Sequence, residues 1–322
     1  MLTDNHGRRF YYLRLSVTDA CNFRCSYCLP DGYRAMDNAP HLKPAEAATV
    51  VRAFASLGTR KVRLTGGEPS LRADLPEIIA ASKSTPGIHR VAVTSNGYKL
   101  PRVIDRWHDA GLDQLNISID TLDAGEFAAF TGHDCLPRVL KGIERARSLG
   151  VEVKVNAVLL QGGADRRLRA FLHWLRETPV TLRFIELMRT GDNRDFFASN
   201  HVRGEAVERE LVENGWQLVP RSEDAGPARE YSHPDYLGRI GFITPYSEDF
   251  CNSCNRLRIS AQGRLHLCLF SEHGIDLYRE ITTGNSIALA ERIRRAIGEK
   301  EPSHYLQQDR VGATRNLSML GG

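Results

Sequence analysis

The chain has 322 residues, which is ample for a full hydrophobic core and, at about 150 residues per domain, predicts two domains or one barrel with an appendage. Its 42% of hydrophobic and 25% of charged residues are ordinary globular values and argue against disordered, collagen-like, coiled-coil and disulfide-miniprotein classes. The formal net charge of +4 is too small to indicate a nucleic-acid or membrane partner unless basic residues cluster locally.

From residue 11 to residue 187 the chain repeats a short strand-like run, a polar turn, an amphipathic helix-like run and a glycine. Helices are predicted to begin at Pro44, Leu100 and Leu136, and each stops close to a glycine that can cap it. Six parallel strands are predicted over residues 11–18, 61–65, 90–95, 114–120, 151–158 and 181–187. Because eight units close a full barrel, six predict an α/β fold that is a partial barrel or an open doubly wound sheet, with ligands at the carboxyl ends of the strands.

The last third of the chain differs in pattern from the first two thirds. Residues 220–234 read as a loop, and short strand signals follow at 239–243, 256–260 and 264–267. A helical run over 287–297 and an irregular tail that ends in Gly321 and Gly322 complete the sequence. We therefore predict a first domain over residues 1–220 and a C-terminal domain over residues 221–322.

Six of the seven cysteines fall into two groups of three, namely Cys21, Cys25, Cys28 and Cys251, Cys254, Cys268. The seventh, Cys135, stands alone and is expected to be a small buried hydrophobe. The first residues contain no basic region followed by an apolar run, and no stretch of about 18 apolar residues occurs, so we expect a cytoplasmic protein. In a reducing compartment clustered thiols indicate metal ligands before they indicate disulfides.

The first cysteine group follows directly on the first predicted strand, which puts three thiols in one loop at the ligand-binding end of the sheet. A structural zinc site takes four ligands, whereas a cubane iron–sulfur cluster bound by three cysteines keeps one iron free for a small molecule. An iron that is free to bind a small molecule indicates a catalytic site. Zinc with a distant fourth ligand, or unliganded core cysteines, remain the alternatives.

Residues 16–30, with Tyr27 before the third cysteine, resemble the signature of radical S-adenosylmethionine (SAM) enzymes. This resemblance implies that SAM chelates the free iron through its amino and carboxylate groups. An electron from the cluster then breaks the sulfonium bond and gives a 5′-deoxyadenosyl radical. The Gly-Gly-Glu-Pro run at 66–69 resembles the family element that holds the SAM amino group. The SAM neighbours that the resemblance implies are Tyr27, Gly67, Thr94, Ser118, Asn156 and Met188.

Strand alternation predicts a basic interior independently of this resemblance. In residues 61–65, Val62 and Leu64 share one face, and Lys61 and Arg63 share the other. Helices on the outside of the sheet take the apolar face, so the basic face must point inward, where unpaired cations require an anionic ligand. The alternative for any one of them is an ion-paired or solvent-exposed side chain. Alternation assigns Arg14, Lys61, Arg63 and Lys154 to the interior, and Arg183, Arg256 and Arg258 are candidates to join them.

The second cysteine group is compatible with two kinds of site. His266 lies two residues before Cys268 and could complete a zinc site of three cysteines and one histidine. However, residues 251–258 and 265–270, together with the glycine tail, are similar to the GTP 3′,8-cyclase family of molybdenum cofactor (molybdopterin) biosynthesis, and the resemblance covers residues 10–322. It implies a second cluster with an open iron that binds the guanine of GTP.

This resemblance implies a partial (β/α)6 TIM-type radical SAM barrel with a C-terminal iron–sulfur cluster domain, two 4Fe-4S clusters and SAM. The implied activity converts GTP to 3′,8-cyclo-7,8-dihydro-GTP. The resemblance implies that the seven basic residues contact the triphosphate and the rest of the substrate. It also implies that Gly321 and Gly322 reach into the active site, where the absence of side chains permits entry. Implied partners are GTP, an electron donor protein and the pterin synthase that takes the product, and a homodimer is compatible with the sequence. The alternatives are a radical SAM enzyme that modifies a peptide, with the second cluster as an electron conduit, and a zinc-stabilised binding module without catalysis.

Overall fold

The fold is given by a computed structural model that describes residues 1–34 and 40–321. The strands are β1 (Tyr12–Thr18), β2 (Lys61–Gly66), β3 (Arg90–Ser95), β4 (Gln114–Ser118), β5 (Glu152–Leu159), β6 (Thr181–Glu186), β7 (Gln217–Leu218), β8 (Arg229–Ser232), β9 (Arg239–Ile243), β10 (Arg256–Ile259), β11 (Arg264–His266) and β12 (Ile275–Asp276). The helices are α1 (Pro44–Ser56), α2 (Leu75–Lys83), α3 (Leu100–Asp109), α4 (Ala124–Thr131), α5 (Leu136–Ser148), α6 (Ala164–Glu177), α7 (Arg194–Asn200), α8 (Gly204–Glu213), α9 (Tyr278–Thr282) and α10 (Ser286–Ala296). Gly322, predicted as the end of the glycine tail, lies outside the described residues.

One sheet contains all of these strands, in the order β12-β11-β10-β1-β2-β3-β4-β5-β6-β9-β8-β7. The strands from β10 to β9 pair in parallel, and the short strands outside them pair antiparallel. The six predicted parallel strands are confirmed as β1 to β6, within two residues at each end. Across residues 1–34 and 40–321 the sheet keeps two separate edges, so it forms a partial barrel and not a closed one.

The strands that follow residue 220 extend this sheet on both sides. β9 pairs with β6, and β10 pairs with β1 in a register that sets Arg14 opposite Arg258. The turn before β10 carries Cys251 and Cys254, and the Tyr12 N–H group donates to the Asn255 carbonyl at 3.2 Å. Pairing with β1 therefore brings the second cysteine group against the barrel.

Helices cover one face of the sheet and leave the other face turned to the interior. Val62 and Leu64 of β2 are fully buried in the same hydrophobic core as Phe54 of α1, as expected for a parallel sheet under helices. Lys61 and Arg63 alternate with them and point to the opposite face, where both are also buried. Burial of charged side chains on this face means that the barrel interior is polar.

Local sequence decides where the helices begin and end. Pro44 opens α1, and the Glu46 carboxylate accepts a hydrogen bond from the Lys43 N–H group at 2.8 Å. Asp123 caps α4 by accepting from the Glu126 N–H group at 2.7 Å, and Gly132 ends this helix at a φ of 77°. Within the described ranges, none of the helices has the length and apolar character needed to cross a membrane.

Candidate active site

Two cavities meet inside the barrel. The upper cavity, of about 150 Å³, lies at the carboxyl ends of β2 to β5 and is lined by Cys21, Cys25 and Cys28. The lower cavity, of about 90 Å³, is lined by Cys251, Cys254 and Cys268. Asn156, Ile185 and Met188 line both cavities, so the two cysteine groups face one interior space.

The loop after β1 folds its three cysteines around a tight turn. The N–H groups of Cys28 and Leu29 both donate to the Cys25 carbonyl at 2.9 Å, and all three thiols are free. Burial raises the pKa of Cys21 to about 11 and that of Cys28 to about 12. Burial, together with the negative charge of Asp120, also raises the pKa of Cys25. A cationic metal centre bound by these thiols would stabilise the thiolates that burial disfavours.

His266, the fourth ligand named in the zinc alternative, does not line the lower cavity with Cys251, Cys254 and Cys268. It lines a separate cavity beside Arg264 and Gly274. Across the part of the chain that the structure describes, no group of three or more cysteine, histidine, aspartate and glutamate side chains is placed to hold one metal ion. A tetrahedral zinc ion draws its sulfurs to about 2.3 Å from one centre, whereas each thiolate of a cubane binds a different iron.

Gly66 and Gly67 end β2 at a place where no side chain fits. A Cβ atom on Gly66, whose φ is 137°, would lie 1.9 Å from the Thr18 carbonyl oxygen, and one on Gly67 would lie 2.2 Å from that of Ala20. The Gly67 N–H group donates to the Thr18 carbonyl at 2.9 Å. The glycine pair thus lets β2 pack directly on the segment that leads to the first cysteines, and leaves open main chain toward the upper cavity.

The upper cavity collects the residues predicted as SAM neighbours. They are Tyr27, Gly67, Thr94, Ser118, Asn156 and Met188. The Tyr27 hydroxyl donates to the buried Asp120 carboxylate at 2.9 Å, which fixes the ring beside the cysteine loop. The Thr94 hydroxyl is buried and finds no hydrogen-bond partner among the described residues. Because buried hydroxyls are normally paired, this oxygen is suited to a bound ligand.

Thr94→Val is expected to weaken SAM binding about tenfold without lowering the free energy of unfolding, because valine keeps the side-chain shape and removes a hydroxyl that no protein group uses. Equilibrium titration with SAM and thermal unfolding measure the two quantities. Thr49→Val is the matched control, since the Thr49 hydroxyl donates to the Ala45 carbonyl inside α1 and should not affect SAM. Equal SAM affinities of wild type and Thr94→Val would contradict this contact.

Six guanidinium groups line the lower cavity; Arg8 pairs with Asp4, and the other five are those of Arg14, Arg63, Arg183, Arg256 and Arg258. The ion pairs formed by the described residues include none of these five. Burial, together with their mutual repulsion, lowers the pKa of Arg14 to about 9 and that of Arg63 to about 10. Such a concentration of buried positive charge requires negative charge close by, which a bound anion would supply.

Arg183 lies on the interior face of β6, although its strand does not alternate clearly in sequence. Its Nη2 atom donates to the Oδ1 atoms of Asn116 at 2.6 Å and Asn156 at 2.7 Å. These two amides orient the guanidinium group without neutralising it. Arg183 therefore keeps its full charge at the centre of the barrel.

Lys61 and Lys154 do not line the lower cavity. They line a neighbouring cavity at the amino ends of the strands, which shares Arg183 with the lower cavity. Lys61 Nζ donates to Gln114 Oε1 at 2.7 Å. Lys154 Nζ pairs with Glu230 Oε1 at 2.7 Å and with Glu152 Oε1 at 3.4 Å. The ion-paired alternative thus describes Lys154, whose charge the protein itself neutralises.

The glycine tail enters the barrel. Arg258 Nη1 donates to the carbonyls of Leu320 at 2.9 Å and Gly321 at 2.6 Å, and Arg14 Nη1 donates to that of Gly321 at 3.2 Å. Gly321 has a φ of 61°, and a Cβ atom there would lie 2.2 Å from Thr65 Oγ1. The tail therefore lies against β2 and lines the upper cavity.

Sequence reasoning missed three residues that belong to this interior. Arg8 and Lys300 line the lower cavity, and Arg8 Nη1 donates to the Cys251 carbonyl at 3.3 Å. Burial acts to raise the pKa of Cys254, but the charges of Arg256 and Lys300 outweigh it and hold this pKa at about 7. No periodic pattern marks Arg8 or Lys300. Tyr12, by contrast, alternates with Arg14 on β1, so strand periodicity could have identified it.

Comparison with known proteins agrees with this geometry. The family profile of the Radical SAM superfamily matches residues 15–175, and that of Molybdenum Cofactor Synthesis C matches residues 180–306. The chain is 51% identical over 326 residues to the GTP 3′,8-cyclase of Cronobacter sakazakii, covering 100% of this chain and 99% of that protein. It is 52% identical over 323 residues to the GTP 3′,8-cyclase of Stenotrophomonas maltophilia, again covering 100% and 99%.

The fold resembles that of a solved structure as well. Streptococcus suis SuiB bound to S-adenosylmethionine has a TM-score of 0.61 with 15% sequence identity, covering 89% of this chain and 68% of that one. At this identity the similarity concerns the fold alone, and it confirms the predicted partial barrel. The relatives above share about half of their residues with this chain over its full length, and this similarity shows the family as well as the fold. The chain belongs to the GTP 3′,8-cyclase family of radical SAM enzymes.

Proposed function

We propose that this chain converts GTP to 3′,8-cyclo-7,8-dihydro-GTP in molybdenum cofactor biosynthesis, with SAM in the upper cavity and GTP mainly in the lower one. The observation that carries this proposal is the set of five arginines without carboxylate partners, four buried and Arg256 half-buried, in a cavity that also holds three cysteines and opens toward three more. A nucleoside triphosphate supplies the negative charge that this cavity requires. Family membership supports the same substrate.

The six grouped cysteines are proposed to bind two 4Fe-4S clusters, one in each cavity. Cys21, Cys25 and Cys28 would hold the first, and Cys251, Cys254 and Cys268 the second, each with one iron left open. When bound, the first cluster and SAM supply a radical that removes the C3′ hydrogen of the ribose. The second cluster would anchor the guanine. Residues 1–220 and 221–322 are accordingly proposed as the radical SAM and auxiliary-cluster domains.

The protein's own contribution is orientation. Arg14, Arg63 and Arg258 would hold the triphosphate, and the cysteines of the lower cavity fix the opposite end of the nucleotide. Asn156 and Met188 stand where the two cavities join, so the ribose is expected to lie beside them. Holding both ends of the substrate presents one ribose carbon to the upper cavity and keeps C8 of the base within bonding reach.

Two further proteins are expected to act with this chain, one before and one after the reaction. The first cluster must receive electrons, so we propose an electron donor protein as a partner. The cyclised nucleotide is a precursor of a pterin, so we propose that the pterin synthase of the same pathway takes it as substrate.

Arg63→Ala is expected to weaken GTP binding about 10- to 100-fold and SAM binding by less than about twofold, because it removes a charge-assisted contact with the triphosphate alone. The unfolding free energy should not fall, since Arg63 has no carboxylate partner and is one of several buried cations that repel one another. Arg60→Ala is the control, because Arg60 lies just before β2 and pairs with Glu223 at 3.2 Å. Equal losses of GTP and SAM affinity in Arg63→Ala would contradict the assigned role.

The activity itself is tested by incubating the anaerobically reconstituted and reduced protein with SAM and GTP. We expect GTP consumption, the cyclised product and 5′-deoxyadenosine together. Accumulation of 5′-deoxyadenosine with GTP unconsumed would favour the peptide-modifying alternative. Zinc without acid-labile sulfide in the purified protein would refute both enzymatic functions.

A further inference from the structure

Tyr12 lies beneath the arginines of the lower cavity, and nothing above assigns it a role. It is 1% exposed, and its hydroxyl is buried with no satisfied hydrogen bond among the described residues. Its ring lies 5.3 Å from Lys61 Nζ, 5.3 Å from Arg63 Cζ and 5.9 Å from Arg14 Cζ, measured to the ring centroid. The Tyr12 phenol is therefore an ionisable acid placed among three cationic side chains.

Positive groups face Tyr12 from each strand that packs around it. They are Arg14 of β1, Lys61 and Arg63 of β2, Arg183 of β6, and Arg256 and Arg258 of β10. The carboxylates that act on this set are Glu152 and Glu230, which act on Arg183 and pair with Lys154. The charge balance at the Tyr12 hydroxyl is thus strongly positive.

We propose that Tyr12 is a positioning residue that exchanges a proton with solvent: its phenolate balances the arginines when no nucleotide is bound, and it takes up a proton when the triphosphate binds. This inference rests on the proposed function, because it takes GTP as the incoming anion. The step is an ionisation only. When the triphosphate binds, its negative charges take the place of the phenolate charge beside Arg14 and Arg63. The phenolate oxygen then accepts a proton from the buffer.

Electrostatics supports this exchange. Burial acts to raise the pKa of Tyr12, but the charges of Arg63, Arg14, Lys61 and Arg183 outweigh it and lower this pKa from its ordinary value of 10 to about 7. Above that pH the phenolate would prevail in the ligand-free protein. A triphosphate beside the same arginines reverses the balance and returns the hydroxyl to its neutral form. GTP binding above that pH should therefore be accompanied by uptake of about one proton at this site.

The test reads the tyrosinate band in the near ultraviolet, for the cluster-loaded protein at one pH unit below and one above the Tyr12 pKa. Subtracting the spectrum of Tyr12→Phe at the same pH removes the cluster absorption. We expect about one tyrosinate per chain in wild type at the higher pH, and its loss when GTP is added. Tyr11→Phe is the matched control, since Tyr11 is also buried but packs against Arg60 at 5.1 Å, and it should behave as wild type.

A second measurement distinguishes proton uptake by Tyr12 from proton uptake by Lys61. Calorimetric titration with GTP in two buffers of different ionisation enthalpy counts the protons taken up, and Tyr12→Phe should take up about one fewer than wild type at the higher pH. If Lys61→Gln loses the proton and Tyr12→Phe does not, the proposal is wrong. It is also wrong if no tyrosinate appears until alkaline pH, in which case Tyr12 is only a neutral ring under the cations.

These outcomes are independent of the test of activity. A tyrosinate that forms near neutral pH and disappears on GTP binding would stand even if the protein failed to convert GTP. GTP conversion without any spectral or proton signal would leave the proposed function intact and remove the role of Tyr12.

Discussion

Cys268→Ala is expected to abolish GTP cyclisation, by more than about 100-fold, while the protein still binds SAM and cleaves it slowly. Cys268 lines the lower cavity with Cys251 and Cys254, so its loss should release the second cluster and leave the base of GTP without an anchor. A misplaced reacting atom costs about 100-fold even for a shift of about 1 Å. Iron content should fall from about eight to about four atoms per chain.

The matched control for this substitution is Cys135→Ala. Cys135 is buried beside the start of α5, belongs to neither cysteine group, and should leave iron content and turnover close to wild type. Iron analysis, 5′-deoxyadenosine formation and product formation are measured on all three proteins. Full iron content or undiminished cyclisation in Cys268→Ala would rule out a second cluster at these cysteines.

Gly321→Ala is expected to reduce the rate of cyclisation strongly, by about 100-fold, with a smaller effect on the affinity for GTP. The added methyl group collides with Thr65 Oγ1 at 2.2 Å, and a φ of 61° is unfavourable for alanine. Arg14 and Arg258 hold the tail carbonyls, so the tail cannot shift without disturbing two arginines of the lower cavity. Steady-state kinetics that separate kcat from KM measure the effect.

Gly284→Ala separates the collision from the backbone conformation. Gly284 has a φ of 71° in the loop between α9 and α10, and a Cβ atom there would meet nothing within 4 Å. Both variants share the conformational penalty of alanine in the left-handed region, and the collision is confined to Gly321→Ala. Similar kinetics for the two variants would show that the tail does not act in the barrel.

Much of the fold follows from local periodicity. The strands β1 to β6 and the helices α1, α3 and α5 lie within two residues of their predicted limits, because alternation and glycine caps are local signals. The interior position of Lys61 and Arg63 also follows from alternation, since a strand that buries Val62 and Leu64 under helices must turn its neighbours inward.

Other parts of the candidate site depend on contacts that no local pattern contains. The ion pair of Lys154 with Glu230 joins β5 to β8, and it removes Lys154 from the unpaired cations. The Gly321 carbonyl accepts a hydrogen bond from Arg14 across about three hundred positions of sequence. Tyr12 looks like an ordinary core aromatic in the sequence, and its neighbours from β2, β6 and β10 give it its charged surroundings.

By itself the sequence determined the chemistry available to this protein: two groups of three thiols, a glycine pair after a strand, and basic residues on alternate strand positions. The position of the two cysteine groups in adjoining cavities of one interior follows from the tertiary structure alone. The reason is that β10 pairs with β1 and β9 with β6, which carries the C-terminal third of the chain to both sides of the barrel. Strand pairing over such distances depends on the packing of the whole sheet, and short-range periodicity does not encode it.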